Sequence, residues 1–259
     1  MMTGIDKRQV ERQFSRAANT YDDAARVQHQ MSDRLLQLVC NYLSEATSSI
    51  LDLGCGTGYS MEQLQKKFPH CKITGLDLSH NMLTRARDRL PGALFIQADM
   101  EQFQPAQRFD LVFSNASVQW CDLPAVMQTT KNSLKPGGLF VYSSFGPDTH
   151  LEIARAWDMA HPGRVHHIDF LKESDHLIAL KQAGFEVLNH QRQLIQPRFD
   201  STRAMLSSVK RTGATNASSL RDKGLLSRET YARFLEYLGQ PNPLELSYET
   251  LSFVARAPD

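Results

Sequence analysis

Apolar positions along the chain recur at two spacings, and their alternation predicts the architecture. Ile50, Leu51 and Leu53 form a short run that suits a buried parallel strand. Met61, Leu64 and Phe68 then share one helical face. Residues 73–78 read as a second strand, followed by a helix that Ser79 caps and whose first turns hold Met82 and Leu83. Residues 94–98 and 109–115 read as the third and fourth strands. A helix is expected over 123–134, stopped by Lys135-Pro136-Gly137-Gly138 before a fifth strand at 139–143. Strand and helix alternate up to Ser144, and right-handed crossovers build such units into a doubly wound α/β sheet.

Upstream, residues 5–43 are helical in pattern. Val10, Phe14, Ala17, Ala18, Tyr21, Ala25 and Gln28 form a stripe with polar tips. Asn19-Thr20 and Asp22-Asp23 predict a break near Tyr21, hence two helices with a joint. The second, over 28–42, turns Met31, Leu35, Leu38, Val39 and Tyr42 to the core. The first, with a phenol and a carboxylate close together, suits a lid over a ligand, plain packing being the alternative. Downstream, helices are expected at 151–159, 174–183 and 201–211, and from the Ser227 cap to 238, with loops at 161–167 and 212–221. A sixth strand is expected near 185–187, with 192–196 also extended. Alternation at Leu246, Tyr248, Thr250, Ser252 and Val254 suits a seventh, antiparallel strand over 244–256. The expected layout is one domain: a helical lid at 1–45, a core at 46–190 and 244–259, and a helical cap inserted at 191–243.

Composition narrows the function classes. At 259 residues, 41% hydrophobic and 22% charged, the chain is an ordinary globular domain with ample core. A net charge of +1 gives no global pull toward nucleic acid. Locally, residues 192–233 carry nine basic side chains against three acidic ones, either solvated helix faces or a surface for an acidic partner. Sparse aromatics there count against an RNA-stacking platform. Cys40, Cys55, Cys71 and Cys121 lack metal-type spacing and read as reduced thiols, with no metal expected. No apolar run approaches a membrane span, and the N-terminal stretch with Asp6 and Glu11 is unlike a secretory signal. A cytoplasmic protein, with no membrane partner, is the expectation.

The chemistry concentrates after the first strand. Gly54, Gly56 and Gly58 alternate there, allowing positive φ and close approach of backbone to ligand. No Gly-Lys-Ser/Thr follows, so this is not a triphosphate loop. Asp52 precedes the glycines; it would repel a pyrophosphate and attract an ammonium group. Asp77, about twenty residues on and at a strand end, is placed to accept from two ribose hydroxyls. Asp99 suits the exocyclic amine of an adenine, with Met100 on its ring. Asn115 lies where the fourth strand opens onto the crevice.

Leu51-Asp-Leu-Gly-Cys-Gly-Thr-Gly58 resembles motif I of the class I S-adenosylmethionine-dependent methyltransferases. Phe109-Asp-Leu-Val-Phe-Ser-Asn115 resembles their motif IV, and Leu134-Lys-Pro-Gly-Gly-Leu139 a turn typical of them. Phe14-Ser-Arg-Ala-Ala-Asn-Thr-Tyr-Asp-Asp-Ala-Ala25 with Gln28, Ser144-Phe-Gly-Pro-Asp-Thr149, and Gly213-Ala-Thr-Asn216 followed by Gly224-Leu-Leu226 are similar to the malonyl-acyl carrier protein O-methyltransferases of biotin synthesis, over nearly the whole chain. His166-His167-Ile168-Asp169 departs from that family's pattern. The resemblance implies a Rossmann-like fold with a seven-stranded, mostly parallel sheet, and methyl transfer from S-adenosylmethionine to the free carboxylate of malonyl-acyl carrier protein. It implies donor contacts at Asp52, Gly54, Gly56, Gly58, Asp77, Leu78, Met82, Asp99, Met100, Asn115 and Gln28. Gln119 and Trp120 are placed to line the pocket beneath the methyl donor, with the core as the alternative for Trp120. Tyr21 would orient acceptor or donor from the lid, and Arg198 or Arg203 would neutralise the malonyl carboxylate. The alternatives are a methyltransferase of quinones or small acids, and a donor-binding assembly factor or hydroxylase on the same fold.

Overall fold

The computed structural model describes residues 5–43, 47–214, 226–240 and 243–259. Its frame is a seven-stranded sheet in the order β3-β2-β1-β4-β5-β9-β6. The strands are β1 (Ser49–Leu53), β2 (Lys72–Asp77), β3 (Leu94–Gln97), β4 (Phe109–Ser114), β5 (Leu134–Phe145), β6 (Glu186–Ile195) and β9 (Tyr248–Arg256). β1 to β5 are parallel, and β9 runs antiparallel between β5 and β6. The expected mostly parallel α/β sheet is borne out.

Side chains alternate across β1, so one face takes Leu51 and Leu53 and the other Ile50. The first face carries α6 (Leu123–Ser133) and α8 (Glu173–Gln182). The second carries α3 (Arg26–Val39), α4 (Tyr59–Lys67) and α5 (His80–Arg89). Both faces of the central strands are thus buried, which is why their sequences read as apolar runs. Ser79 caps α5 through Met82 N at 3.2 Å, as the sequence implied.

Four features differ from the pattern-based reading. The N-terminal region is three helices rather than two: α1 (Lys7–Ala17), capped by Asp6, the single turn α2 (Tyr21–Ala24), and α3. β6 is continuous to Ile195 and joins the two separate pieces expected at 185–187 and 192–196, so the core sheet takes in 191–195. β9 is buried on both faces from Tyr248 to Ala255, so its alternation of residue types did not mark an exposed face; a strand between two neighbours and two helix layers has none. Finally, β7 (Arg198–Phe199) and β8 (Leu244–Glu245) pair as a short ribbon at the root of the cap. The cap helices are α9 (Thr202–Arg211) and α10 (Arg228–Gly239), and α10 packs on α7 (Leu151–Ala160). Among the described residues no helix is long and apolar enough to cross a membrane.

Candidate active site

The C-terminal ends of β1, β2, β3 and β4 open onto one cavity of about 870 Å³, its mouth included, within the range of small-molecule sites. Around it the fold brings together Tyr21, Gln28, Gly54, Gly56, Asp77, Leu78, Met82, Asp99, Met100 and Asn115. Four sequence candidates are not on its wall: Asp52, Gly58, Arg198 and Arg203.

The glycine loop is tied to β2, since Gly54 N and Cys55 N both donate to Leu76 O at 2.7 and 2.9 Å. The three glycines have φ of +72, +54 and +81°, a region that glycine alone enters freely. Their reasons differ. A Cβ on Gly54 would lie 2.3 Å from Ser117 Oγ, whereas one on Gly56 would meet nothing within 4 Å. Gly58 begins α4 and faces Ala86 of α5, so it serves helix packing rather than the cavity. Asp77 accepts from Gly56 N at 2.9 Å and Ser79 N at 2.8 Å. Burial raises its carboxyl to about 6 against the pull of these N–H groups.

Asp52 is 1% exposed, and neither carboxylate oxygen has a hydrogen-bond partner. Burial, then the charge of Asp77, pushes its pKa up to about 8. It lies behind the loop, on the same side of β1 as Ile50, rather than on the cavity wall. A buried unpaired carboxylate costs several kcal/mol unless it is protonated or met by a donor.

The N-terminal helices are fastened over the cavity at three places. Asp22 accepts from Thr57 Oγ1 at 2.6 Å and Arg89 Nη2 at 2.7 Å, with His29 Nε2 at 3.6 Å. Ser15 Oγ meets Ser79 Oγ at 2.8 Å, and Asn81 donates to Ser15 O. Lys7 reaches Glu101 at 2.6 Å, Asp99 at 3.3 Å and Cys121 Sγ at 3.0 Å. Although burial opposes the Lys7 charge, Cys121, Glu101 and Asp99 hold it protonated above the usual lysine range. Burial raises the Cys121 thiol to about 12. Asn115 is spent on structure: it donates to Gln28 O at 2.9 Å and accepts from Ser143 Oγ at 2.7 Å, pinning α3 to the end of β4. Trp120 does both things the sequence left open, being buried in the core at 5% exposure and lining the cavity.

Burial works against the Asp22 charge, but His29, Thr57 and Arg89 outweigh it and bring its pKa down to about 2. The stability it supplies is therefore present above the unfolded value of 3.8 and lost as pH falls toward 2. Asp22→Ala is expected to lower stability by about 1–2 kcal/mol at neutral pH, allowing for its partial exposure. Thermal unfolding at pH 7 measures this; an unchanged midpoint would show that the lid is not held here.

Arg198 and Arg203 do not reach the site. Arg198 Nε binds Glu245 across the β7–β8 ribbon at 2.9 Å, and Arg203 is exposed on α9. Of the basic stretch, Arg192 pairs with Glu249 and Asp148, and Arg211 with Asp23. Arg221, Lys223 and Gly224, together with Thr215 and Asn216 of the Gly-Ala-Thr-Asn stretch, lie outside the described residues. Sequence reasoning missed Lys7, Thr57 and Ser117. A lone lysine on a polar helix face carries no signal for a contact 92 residues away, whereas Thr57, between two of the glycines, could have been asked what its hydroxyl meets. Among the described residues no group of three His, Cys, Asp or Glu side chains could hold a metal ion.

A family model described as a methyltransferase domain matches residues 50–138, the half of the sheet that carries the cavity. A malonyl-[acyl-carrier protein] O-methyltransferase of Ilyobacter polytropus is 34% identical over 83% of this chain and 83% of the relative. One of Halalkalibacterium halodurans is 33% identical over 91% of this chain and 92% of the relative. The chain belongs to this family. It is an O-methyltransferase, as the sequence motifs implied. Solved structures extend the likeness at the level of fold alone. The YcgJ protein of Bacillus subtilis aligns with a TM-score of 0.63 at 14% identity, over 87% of this chain and 98% of that one. A phosphoethanolamine N-methyltransferase of Haemonchus contortus aligns at 0.54 and 19% identity, over 88% and 53%.

Proposed function

We propose that the protein transfers a methyl group from S-adenosylmethionine to the free carboxylate of a malonyl thioester carried on acyl carrier protein. The match along the chain to relatives bearing that activity in their names carries this reading. The cavity supports the donor half. At the glycine loop the wall carries the Asp77 carboxylate, with Asp52 behind it able to ionise beside a cation, which suits a cationic metabolite and disfavours a phosphate there. The donor, once bound, supplies an electrophilic methyl group on a sulfonium.

The rest is positioning. Asp77, with both oxygens already aligned by backbone N–H groups, accepts from ribose hydroxyls. Asp99 and Met100 form the adenine end, with Lys7 fixing the carboxylate from the lid. The open space beside Gly56 leaves room for the donor against the loop, and Asp52, behind the loop and off the wall, acts on the donor's cationic end only through its charge. Tyr21 keeps its proton, because burial and the charges of Asp22 and Asp77 raise its pKa, and so offers an O–H to an acceptor carboxylate. That carboxylate is ionised at neutral pH, so no general base is needed. Rate comes from alignment and from the exclusion of water by the fastened lid. Arg203, Lys210, Arg228 and Arg233, exposed and without ion pairs among the described residues, remain for an acidic carrier.

The test is incubation with labelled donor and, in parallel, malonyl carrier protein, malonyl-coenzyme A and quinone precursors, followed by mass measurement. Label and one added methylene are expected on the malonyl group of the carrier. Transfer only to a quinone or small acid would overturn the acceptor, and donor binding with no transfer to any of them would favour an assembly factor.

A further inference from the structure

A second groove opens beside the donor cavity, between α7, the 161–170 segment and α9. Ile153, Phe170, Leu206 and Val209 make its walls apolar, with His150 inside and Lys210 at its exposed edge; it spans about 1000 Å³ with its mouth. His166 and His167, whose sequence departs from the family pattern, also line it.

His150 is the unusual residue. It sits immediately before α7 with φ 59° and ψ 30°, one of two non-glycine residues at positive φ among those described. That conformation is unfavourable for an L-residue. Its backbone N–H donates to Ser247 O at 2.7 Å, and its ring stands edge-on to Tyr248 at 4.7 Å. Its Nε2 is buried without a hydrogen-bond partner, a further cost. Burial lowers its pKa to about 4, so the ring is a neutral hydrogen-bonding group. Two local costs at one side chain inside a groove point to something that the side chain meets there.

Two chains of packed residues link the groove to the wall of the donor cavity. Gly213 packs against Phe14, which lines the donor cavity, and the next residue, Ala214, lines the groove. On the other side Ala116, also on the donor cavity, shares a cluster with Phe145 and Tyr248, the ring that His150 abuts.

Resting on the function proposed above, we propose that this groove receives the arm that carries the acceptor. That arm is an extended, uncharged chain of amide and thioester groups, with one of its amides on His150 Nε2 and its terminal phosphodiester at Lys210. The walls match the chain's methylenes, His150 supplies a polar contact inside, and Lys210, with no ion pair among the described residues, supplies a cation where the groove meets solvent. His150 is on this view a positioning residue, remote from the reacting atoms, and it selects carrier-borne over arm-less acceptors.

The test compares His150→Phe, which keeps the ring's bulk, with His150→Asn, which tolerates positive φ and keeps a polar group, and with Leu206→Trp, which fills the groove. Each is assayed with malonyl carrier protein and with the malonyl thioester of ethanethiol. For His150→Phe and Leu206→Trp the ratio of kcat/KM for the carrier-borne to the arm-less acceptor is expected to fall about tenfold, mainly through KM, the loss of one hydrogen bond or of the groove's space. His150→Asn is expected to recover most of it. Independently of turnover, added pantetheine phosphate is expected to shift the His150 ring nitrogen resonances of the wild-type protein and to leave those of Leu206→Trp unmoved. Unchanged ratios in both variants, or no shift at saturating pantetheine phosphate, would overturn the proposal. If the arm binds and shifts His150 while no malonyl thioester is methylated, the groove stands and the assigned reaction falls.

Discussion

Gly56→Ala is expected to fold and bind the donor weakly, while Gly54→Ala is expected to fold poorly. Both positions have positive φ, so an alanine costs about 1–2 kcal/mol at either. They part company in what the new methyl meets. At Gly56 nothing lies within 4 Å, so the methyl projects into the cavity and meets only a ligand. At Gly54 it would stand 2.3 Å from Ser117 Oγ and 2.5 Å from its Cβ, and Ser117 Oγ is held there by donation to Gly54 O at 3.0 Å. The crowding adds about 1–3 kcal/mol to the backbone cost, together about 2–5 kcal/mol, a large part of the stability of an ordinary domain. Thermal unfolding with calorimetric titration of S-adenosylhomocysteine separates the two. Gly56→Ala should lose about tenfold to a hundredfold in affinity with a modest drop in midpoint. A Gly56→Ala protein that binds like the wild type would remove the glycine loop from the donor site.

Asp52 is expected to make both stability and donor affinity depend on pH around 8. In the unfolded chain it ionises near 3.8, while in the fold burial and Asp77 hold its proton to about 8. Between these values the folded state binds the extra proton, so unfolding free energy falls as pH rises. Asp77, raised only to about 6, exhausts its own contribution lower down. The ligand-free protein should therefore lose midpoint from pH 6 to 8, and Asp52→Asn should flatten that slope. A cationic donor favours the ionised carboxylate, so donor affinity should climb with pH below 8, by up to about tenfold per unit, with a proton released to buffer. Calorimetry in buffers of different ionisation enthalpy measures that proton. Equal apparent enthalpies in all of them would mean that Asp52 does not answer to the donor.

The parts of the fold that could be read in advance are those where one local cause dominates. Apolar runs at Ile50 and Leu111 marked strands buried on both faces, and Ser79 and Ser227 marked helix starts, as they do in the structure. The glycine spacing and Asp77 led to the cavity because backbone conformation and strand-end position are local properties. Arg198 and Arg203 misled because charge content says nothing about reach. Their partner or solvent is set by the β7–β8 ribbon and by α9, elements that depend on distant pairing. Lys7 went unassigned, and Asp22 was read as part of a lid without its partners, for the same reason: Glu101 and Arg89 lie far along the chain. Asp52 was read as a group facing the ligand, and its pleat position puts it behind the loop.

The placement of β9 imposes an order of assembly. β6 touches the rest of the sheet only through β9, and β9 itself pairs with β5 across roughly a hundred residues of chain. The donor-side strands, with short connections, can zip early. β6 has no sheet neighbour until that distant strand has slotted in beside β5, so completion of the sheet waits on a long-range closure that topology makes slow.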